Sequence, residues 1–172
     1  MARLVDVNVT KLVWVPGDRS VIADIKAPKL ATELTGANVV DITCFVLNSY
    51  EVRADGSNTT TESAVCDNAE GTVPTMRKYT GSLPLFRDFS STGTPTTADP
   101  LIIFTEGFPQ GYFVRRVGKP QETPFAVADI ADIYHFTSDV PQIQGGTSQG
   151  FLKATVPLLA TGRFTTRAVI AA

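Results

Sequence analysis

Histidine and cysteine, the usual general base and thiol nucleophile of enzymes, are rare in this chain. The sequence contains one histidine, His135, and two cysteines, Cys44 and Cys66. With an aspartate to orient it, His135 could activate Cys66 as the nucleophile of a cytoplasmic thiol hydrolase. A lone histidine inside a strand pattern, between Tyr134 and Phe136, is far more often structural. The hydrolase therefore stays a remote alternative, and we expect no catalytic residue.

Metal and cofactor sites have no support in the sequence. No cysteine or histidine spacing is typical of a zinc site, and no glycine-rich stretch matches a phosphate-binding loop. We therefore predict no metal ion and no cofactor. Whether Cys44 and Cys66 form a disulfide stays open, with reduced thiols as the default in a cytoplasm.

Two adjacent arginines interrupt a strand pattern at residues 111–120, GYFVRRVGKP. Side chains alternate between the faces of a strand, so Arg115 and Arg116 lie on opposite faces, each among apolar neighbours. Asp129 and Asp132 are three residues apart, which also places them on opposite faces of a strand. They cannot form a paired-carboxylate site within one strand, and a solvated or interface role is the better interpretation.

Composition narrows the class of protein. Of the 172 residues 19% are charged, the formal net charge is -2, and a weakly charged surface gives little protection against self-association. The lysines and arginines are scattered, which argues against non-specific nucleic-acid binding. No apolar run is long enough for a membrane span or a secretory signal, so we expect no membrane contact and synthesis in a cytoplasm.

Short strand patterns separated by turn signals predict a single domain, residues 1–172. We expect a mainly β protein, an antiparallel β-sandwich or barrel with one or two short peripheral α-helices. The helices are expected at Pro28–Thr35 and, capped by Asp99, at Asp99–Gly107. The predicted strands are Val7–Val15, Val39–Arg53, Thr59–Cys66, Met76–Arg87, Tyr112–Val117, Phe125–Phe136, Gly150–Val156 and Arg163–Ile170.

The strongest hairpin signal of the chain is Asp55-Gly56, between Val39–Arg53 and Thr59–Cys66. A two-residue turn there places Cys44 opposite Asp67, and a one-residue bulge would place it opposite Cys66.

Eight short motifs give the chain a recognisable order. They are ELT (33–35), DITCFV (41–46), ESAVCD (62–67), GSL (81–83), FRD (86–88), Asp99–Gly107, GYFVRRVG (111–118) and DIY (132–134). Their order, over roughly residues 34–134, resembles that of the major tail tube proteins of long, non-contractile-tailed (siphovirus-like) phages, particularly those infecting actinobacteria. Each motif alone is weak, and the order carries the resemblance.

The resemblance implies a structural protein of the virion tail, not an enzyme, assembled in the host cytoplasm. A β-sandwich protomer would form homo-hexameric rings that stack around a channel for genome DNA, with inner sheets joined in a continuous barrel. Partners would be the tape measure protein in the channel, and tail terminator and tail tip proteins at the ends. A tail terminator, tail completion or capsid decoration protein is the alternative.

Roles for particular residues follow from the same resemblance. In a ring protomer, Arg115 and Arg116 would each meet a carboxylate or carbonyl at an inter-subunit interface; the alternative is two surface arginines over apolar stems. A polar hairpin tip would reach between stacked rings, namely Arg53, Asp55, Gly56, Ser57 and Asn58. The candidates for the channel wall are Glu62, Asp129 and Asp132.

Overall fold

The computed structural model describes residues 8–62, 71–105, 109–144 and 151–172. Its eight strands form one antiparallel sheet in the order β2-β1-β5-β6-β8-β4-β3, with β7 paired to β8. The strands are β1 (Thr10–Pro16), β2 (Val40–Asp41), β3 (Glu51–Glu62), β4 (Gly71–Phe86), β5 (Gln110–Val117), β6 (Ile130–Ser138), β7 (Gln142–Ile143) and β8 (Lys153–Val169). The predicted mainly β fold is confirmed.

Strand β8 belongs to both halves of the sheet. Residues 153–158 pair with β4, and residues 158–169 pair with β6 through two register shifts. Gly162 lies in this second half at φ +85°, a conformation that favours glycine. The bend folds the sheet into a sandwich, with a first layer β2-β1-β5-β6-β8 and a second layer β7-β8-β4-β3.

The main core lies between the two layers. Both layers contribute fully buried apolar side chains, among them Trp14 and Phe113 from the first and Leu83 and Val156 from the second. Gly111 is needed beside this core, because a Cβ there would lie 2.4 Å from the Trp14 ring. Alternation along each strand thus fixes which face meets the other layer.

A second core covers the outer face of the first layer. Val13, Tyr112, Val114 and Ile133 lie on that face, and Ile22 and Leu34 of the segment 17–39 pack over them. Both faces of the first layer therefore carry buried side chains, which explains why β5 is apolar on both faces.

Two short helical turns replace the predicted α-helices. Leu30–Leu34 is a π-helical turn, and Pro100–Phe104 is a 3₁₀ turn. The predicted cap is correct, because the Asp99 carboxylate accepts a hydrogen bond from the Leu101 N–H at 3.1 Å. Each turn has five residues, too few for a sustained α-helical ladder.

Several predicted strand limits are wrong. Val39–Arg53 is not one strand, because the chain turns at residues 43–45 and 48–49 between β2 and β3. The Asp41 carboxylate starts the first of these turns by accepting the Thr43 N–H. Phe125–Phe136 begins as a loop, and the last two predicted strands are parts of β8.

The predicted hairpin at Asp55-Gly56 is also wrong. Both residues lie inside β3, which pairs with β4 from Glu51 opposite Ser82 to Glu62 opposite Gly71. The register shifts between Asp55 and Asn58, so the polar pair marks a bulge and not a turn. Cys66 lies outside the described residues, and Cys44 is exposed.

Candidate assembly surfaces

The β3–β4 hairpin extends beyond the sandwich as an arm. Val52 and Tyr79 are the last buried residues at its base, with 5% and 4% of their surface exposed. Every residue from Arg53 to Thr61 is exposed, and so are Arg77 and Lys78 on β4. Beyond the base, none of the side chains whose burial the structure describes is buried, so these residues contribute little to the stability of their own protomer.

Tyr79 fixes the base of this arm. Its hydroxyl donates to the His135 carbonyl at 2.7 Å and accepts the Thr161 N–H at 3.2 Å. Its ring packs edge-on against Phe136 and tilted against Phe164. The arm therefore leaves the body from a rigid anchor at the bend of β8. Sequence reasoning missed this role of Tyr79, since the residue lies in an ordinary strand pattern.

Strand β3 is the long free edge of the sheet. It pairs with β4 on one side, and no strand among the described residues pairs with its other side. Its residues include Arg53, Asp55 and Glu62, charges that discourage uncontrolled pairing. The opposite edge strands, β2 and β7, have only two residues each.

Arg115 has a carboxylate partner within its own chain. Its Nη2 lies 2.8 Å from Oδ2 of Asp132, and both side chains are about one-quarter exposed. Burial disfavours the charged guanidinium, but hydrogen bonds to Asp132 and Tyr50 outweigh it and raise the pKa of Arg115. Asp132 also accepts the N–H of Arg167, which has φ +60°. The Arg115–Asp132 ion pair is therefore partly exposed on the first layer.

Arg116 lies on the opposite face, 1% exposed. Its guanidinium donates to the carbonyls of Pro120, Thr123 and Pro124 at 2.8–3.0 Å. Nη1 also lies 3.2 Å from Oδ2 of Asp129. These contacts hold the loop 118–129 against β5.

Asp129 completes this buried cluster. Its carboxylate accepts hydrogen bonds from Lys119, Arg116 and the Ala126 N–H. Burial opposes ionisation of Asp129, but these donors outweigh it and lower its pKa. The sequence places Asp129 and Asp132 on opposite faces. In the structure Asp129 pairs with Arg116, and Asp132 pairs with Arg115.

His135 is buried at the bend of β8. Its Nδ1 lies 2.7 Å from the Thr161 hydroxyl, and its ring packs 4.5 Å from that of Tyr112. Burial lowers the pKa of His135. No group of three histidine, cysteine or acidic residues in the described ranges could hold a metal ion. These contacts give His135 a structural role.

The sequence model of the phage tail tube protein family matches residues 1–172. The chain belongs to this family. Its fold is similar to that of a chain in a cryo-EM structure of the anti-feeding prophage (AFP) baseplate, 6-fold symmetrised, with a TM-score of 0.56 and 13% identity over 96% of this chain and 98% of that one. The comparison with curated proteins finds no match.

Membership of the tail tube family has direct consequences. It makes the protein a structural component of a virion tail that assembles from copies of one chain, and such a family is not one of enzymes. None of the helices that the structure describes is long and apolar enough to cross a membrane.

Proposed function

We propose that this protein is the tail tube subunit of a long, non-contractile-tailed phage, forming homo-hexameric rings that stack around a DNA channel. The tape measure protein fills the channel during assembly, and terminator and tip proteins bound its ends. The proposed host is an actinobacterium, and assembly takes place in its cytoplasm. The observation that carries the proposal is the exposed β3–β4 arm in a chain of the tail tube family.

The arm is proposed as the contact between stacked rings. Its exposed residues, which include Arg53, Asp55, Gly56, Ser57 and Asn58, are not buried by any described part of their own protomer. Edge strands of this length are normally covered in a soluble protein, and a neighbouring copy is the available cover. Arg115 is proposed to contribute at the interface between subunits, whereas Arg116 supports the loop 118–129 from inside.

The proposed channel wall is the outer face of the second layer. The first layer is covered on its outer face, so it has no open face for a channel. On the second layer, Val52, Leu83 and Val156 point to the core and their neighbours point outward. The outward residues are exposed or half-buried, namely Glu51, Arg53, Asp55, Lys78, Thr80, Ser82, Pro84, Phe86, Lys153, Thr155 and Pro157.

This face is suited to a conduit for DNA because its charges nearly compensate one another. Glu51 lies 3.7 Å from Arg53, and Asp55 pairs in register with Lys78. Lys153 is left without an acidic neighbour among these outward residues, so they carry a net charge of +1. A near-neutral wall avoids the counterion release by which cationic surfaces retain DNA. Glu62, at the end of β3, stays a proposed wall residue. Asp129 and Asp132 lie in the first layer beside their arginines and leave the proposal.

Negative-stain electron microscopy of the purified protein tests the proposed function. Open-ended tubes are expected; isolated single rings would indicate a terminator instead, and stable monomers at high concentration would contradict the proposal. The channel wall is tested in tubes of a variant with Cys44 and Cys66 replaced by serine. Ser82→Cys should then be protected from a bulky maleimide polymer, and the control Asp24→Cys should react. The reverse pattern would place the channel on the other side.

Removing the arm tests its proposed role. In the variant, residues 56–77 are replaced by Asn-Gly, which closes the strands at Asp55 and Lys78 with a two-residue turn. The protomer should keep its fold, because the described side chains in the removed part are exposed. Tubes should shorten to single rings or short stacks. Circular dichroism verifies the fold and microscopy measures the length. Tubes of normal length would show that the arm is only a solvated hairpin.

A further inference from the structure

Exposed apolar side chains are concentrated in two places. Eleven large apolar residues among those described are exposed, and seven of them fall into two groups. The end patch consists of Val117, Ile130 and Val169. The edge patch consists of Val140, Ile143, Phe151 and Leu152.

The end patch is a row across three strands. Ile130 of β6 is the register partner of Val169 on β8. On the other side of β6, Arg116 pairs with Ala131, which places the next residue of β5, Val117, beside Ile130. The three side chains are 49–52% exposed. The Arg115–Asp132 pair lies next to the row on the same face. An apolar centre beside a polar pair is the usual composition of a protein interface.

The edge patch surrounds β7 and the beginning of β8. Phe151 is 81% exposed, Ile143 68%, Val140 63% and Leu152 47%. Between residues 140 and 159 the only charged residue is Lys153. Aromatic side chains bury about 150–250 Å² each, so Phe151 and three aliphatic neighbours approach the patch size of about 300–600 Å² that often marks an interaction site.

One protomer cannot bring the two patches together. Ile130 begins β6, and Val140 follows shortly after its end at Ser138. Eight residue steps at about 3.3 Å separate the ends of this strand by roughly 26 Å. Each patch is smaller than the roughly 800 Å² per partner of a standard interface. A contact centred on either patch would therefore need a wider polar rim.

We propose that the end patch of one copy packs against the edge patch of the next copy, so that the contact is head-to-tail. The two patches differ in shape and position, and a contact between different surfaces repeats from copy to copy, which gives rings or open stacks and not closed pairs. A second copy is the occupant, because the family assembles from copies of one chain. Each patch would then bury the exposed apolar surface of the other. This inference rests on the proposed function and names the residues that join the subunits.

Two single variants test the pairing. Ile130→Lys breaks the end patch and leaves the edge patch intact, and Phe151→Lys does the opposite. The control is Ile102→Lys, at a residue equally exposed (50%) but outside both patches. Light scattering after size-exclusion chromatography and negative-stain microscopy measure the assembly state. Wild type and control should form tubes, and each patch variant alone should be monomeric at the same concentration.

An equimolar mixture of the two patch variants gives the decisive result. Each copy then has one intact patch, so one contact forms per pair and dimers should appear without longer assemblies. Val169→Lys with Ile143→Lys repeats the test if either first variant fails to fold. Tubes from either single variant, or a mixture that stays monomeric, would overturn the pairing. If either result is obtained while wild type forms tubes, only the pairing fails and the proposed function stands. If wild type forms neither tubes nor rings, the proposed function itself is contradicted.

Discussion

Replacing Asp129 with asparagine should strongly destabilise the protomer. The substitution keeps the size of the side chain but removes the charge that faces Arg116, and both side chains are 2% exposed. Breaking a buried ion pair by removing one partner costs about 3–5 kcal/mol, because the other charge remains buried. Three backbone carbonyls still hold Arg116, which places the expected loss near the lower limit, about 3 kcal/mol.

The matched control is Asp41→Asn. Asp41 also forms an ion pair with a lysine, since Lys11 Nζ lies 2.6 Å from its Oδ2, but the side chain of Asp41 is 50% exposed. Exposed ion pairs contribute about 0–1 kcal/mol, so this variant should lose at most that amount. At about 2–4 °C per kcal/mol for a chain of this size, Asp129→Asn should melt roughly 6–12 °C below wild type.

The assay is denaturant unfolding at neutral pH and at a concentration below that of assembly, because association stabilises the folded protomer by mass action. Thermal melting gives a second measurement. The reasoning would be refuted if Asp129→Asn and Asp41→Asn lost the same small amount. That result would mean that the carbonyl cage, and not the carboxylate, compensates the charge of Arg116.

Two further predictions concern stability. Gly111→Ala should lower the free energy of unfolding by about 1–3 kcal/mol through overpacking, because the added Cβ meets the buried Trp14 ring. In the control, Gly56→Ala, the added Cβ meets nothing within 4 Å, so the change should be near neutral. Equal unfolding midpoints for the two variants would contradict this. Burial lowers the pKa of His135, so unfolded chains bind the proton first as the pH falls below about 6.5. Stability should therefore decline as the pH falls from about 6.5 toward the folded pKa. Above about 6.5 this group should have no effect on stability. His135→Gln should remove that part of the pH dependence, and an unchanged slope between pH 8 and 5 would exclude the histidine as its source.

Local chemistry in the sequence determined the class of fold and several of its details. Alternating apolar residues predict the strands, and Asp99 before Pro100 predicts a capped helical turn, because these signals act between neighbours in the chain. The adjacent arginines indicated that β5 is not an ordinary half-exposed strand. The order of motifs indicated the tail tube family, which the match over the whole chain confirms.

Tertiary structure decided what depends on partners distant in sequence. Asp55-Gly56 has the composition of a turn, but its strand pairs with residues 71–82 and absorbs it as a bulge. One strand, β8, was predicted as two, because its bend serves two different neighbours. The burial of Arg116 and the partial exposure of Arg115 likewise depend on what covers each face of β5. Alternation in the sequence places the two side chains on opposite faces, but only packing against the loop 118–129 determines which face is closed.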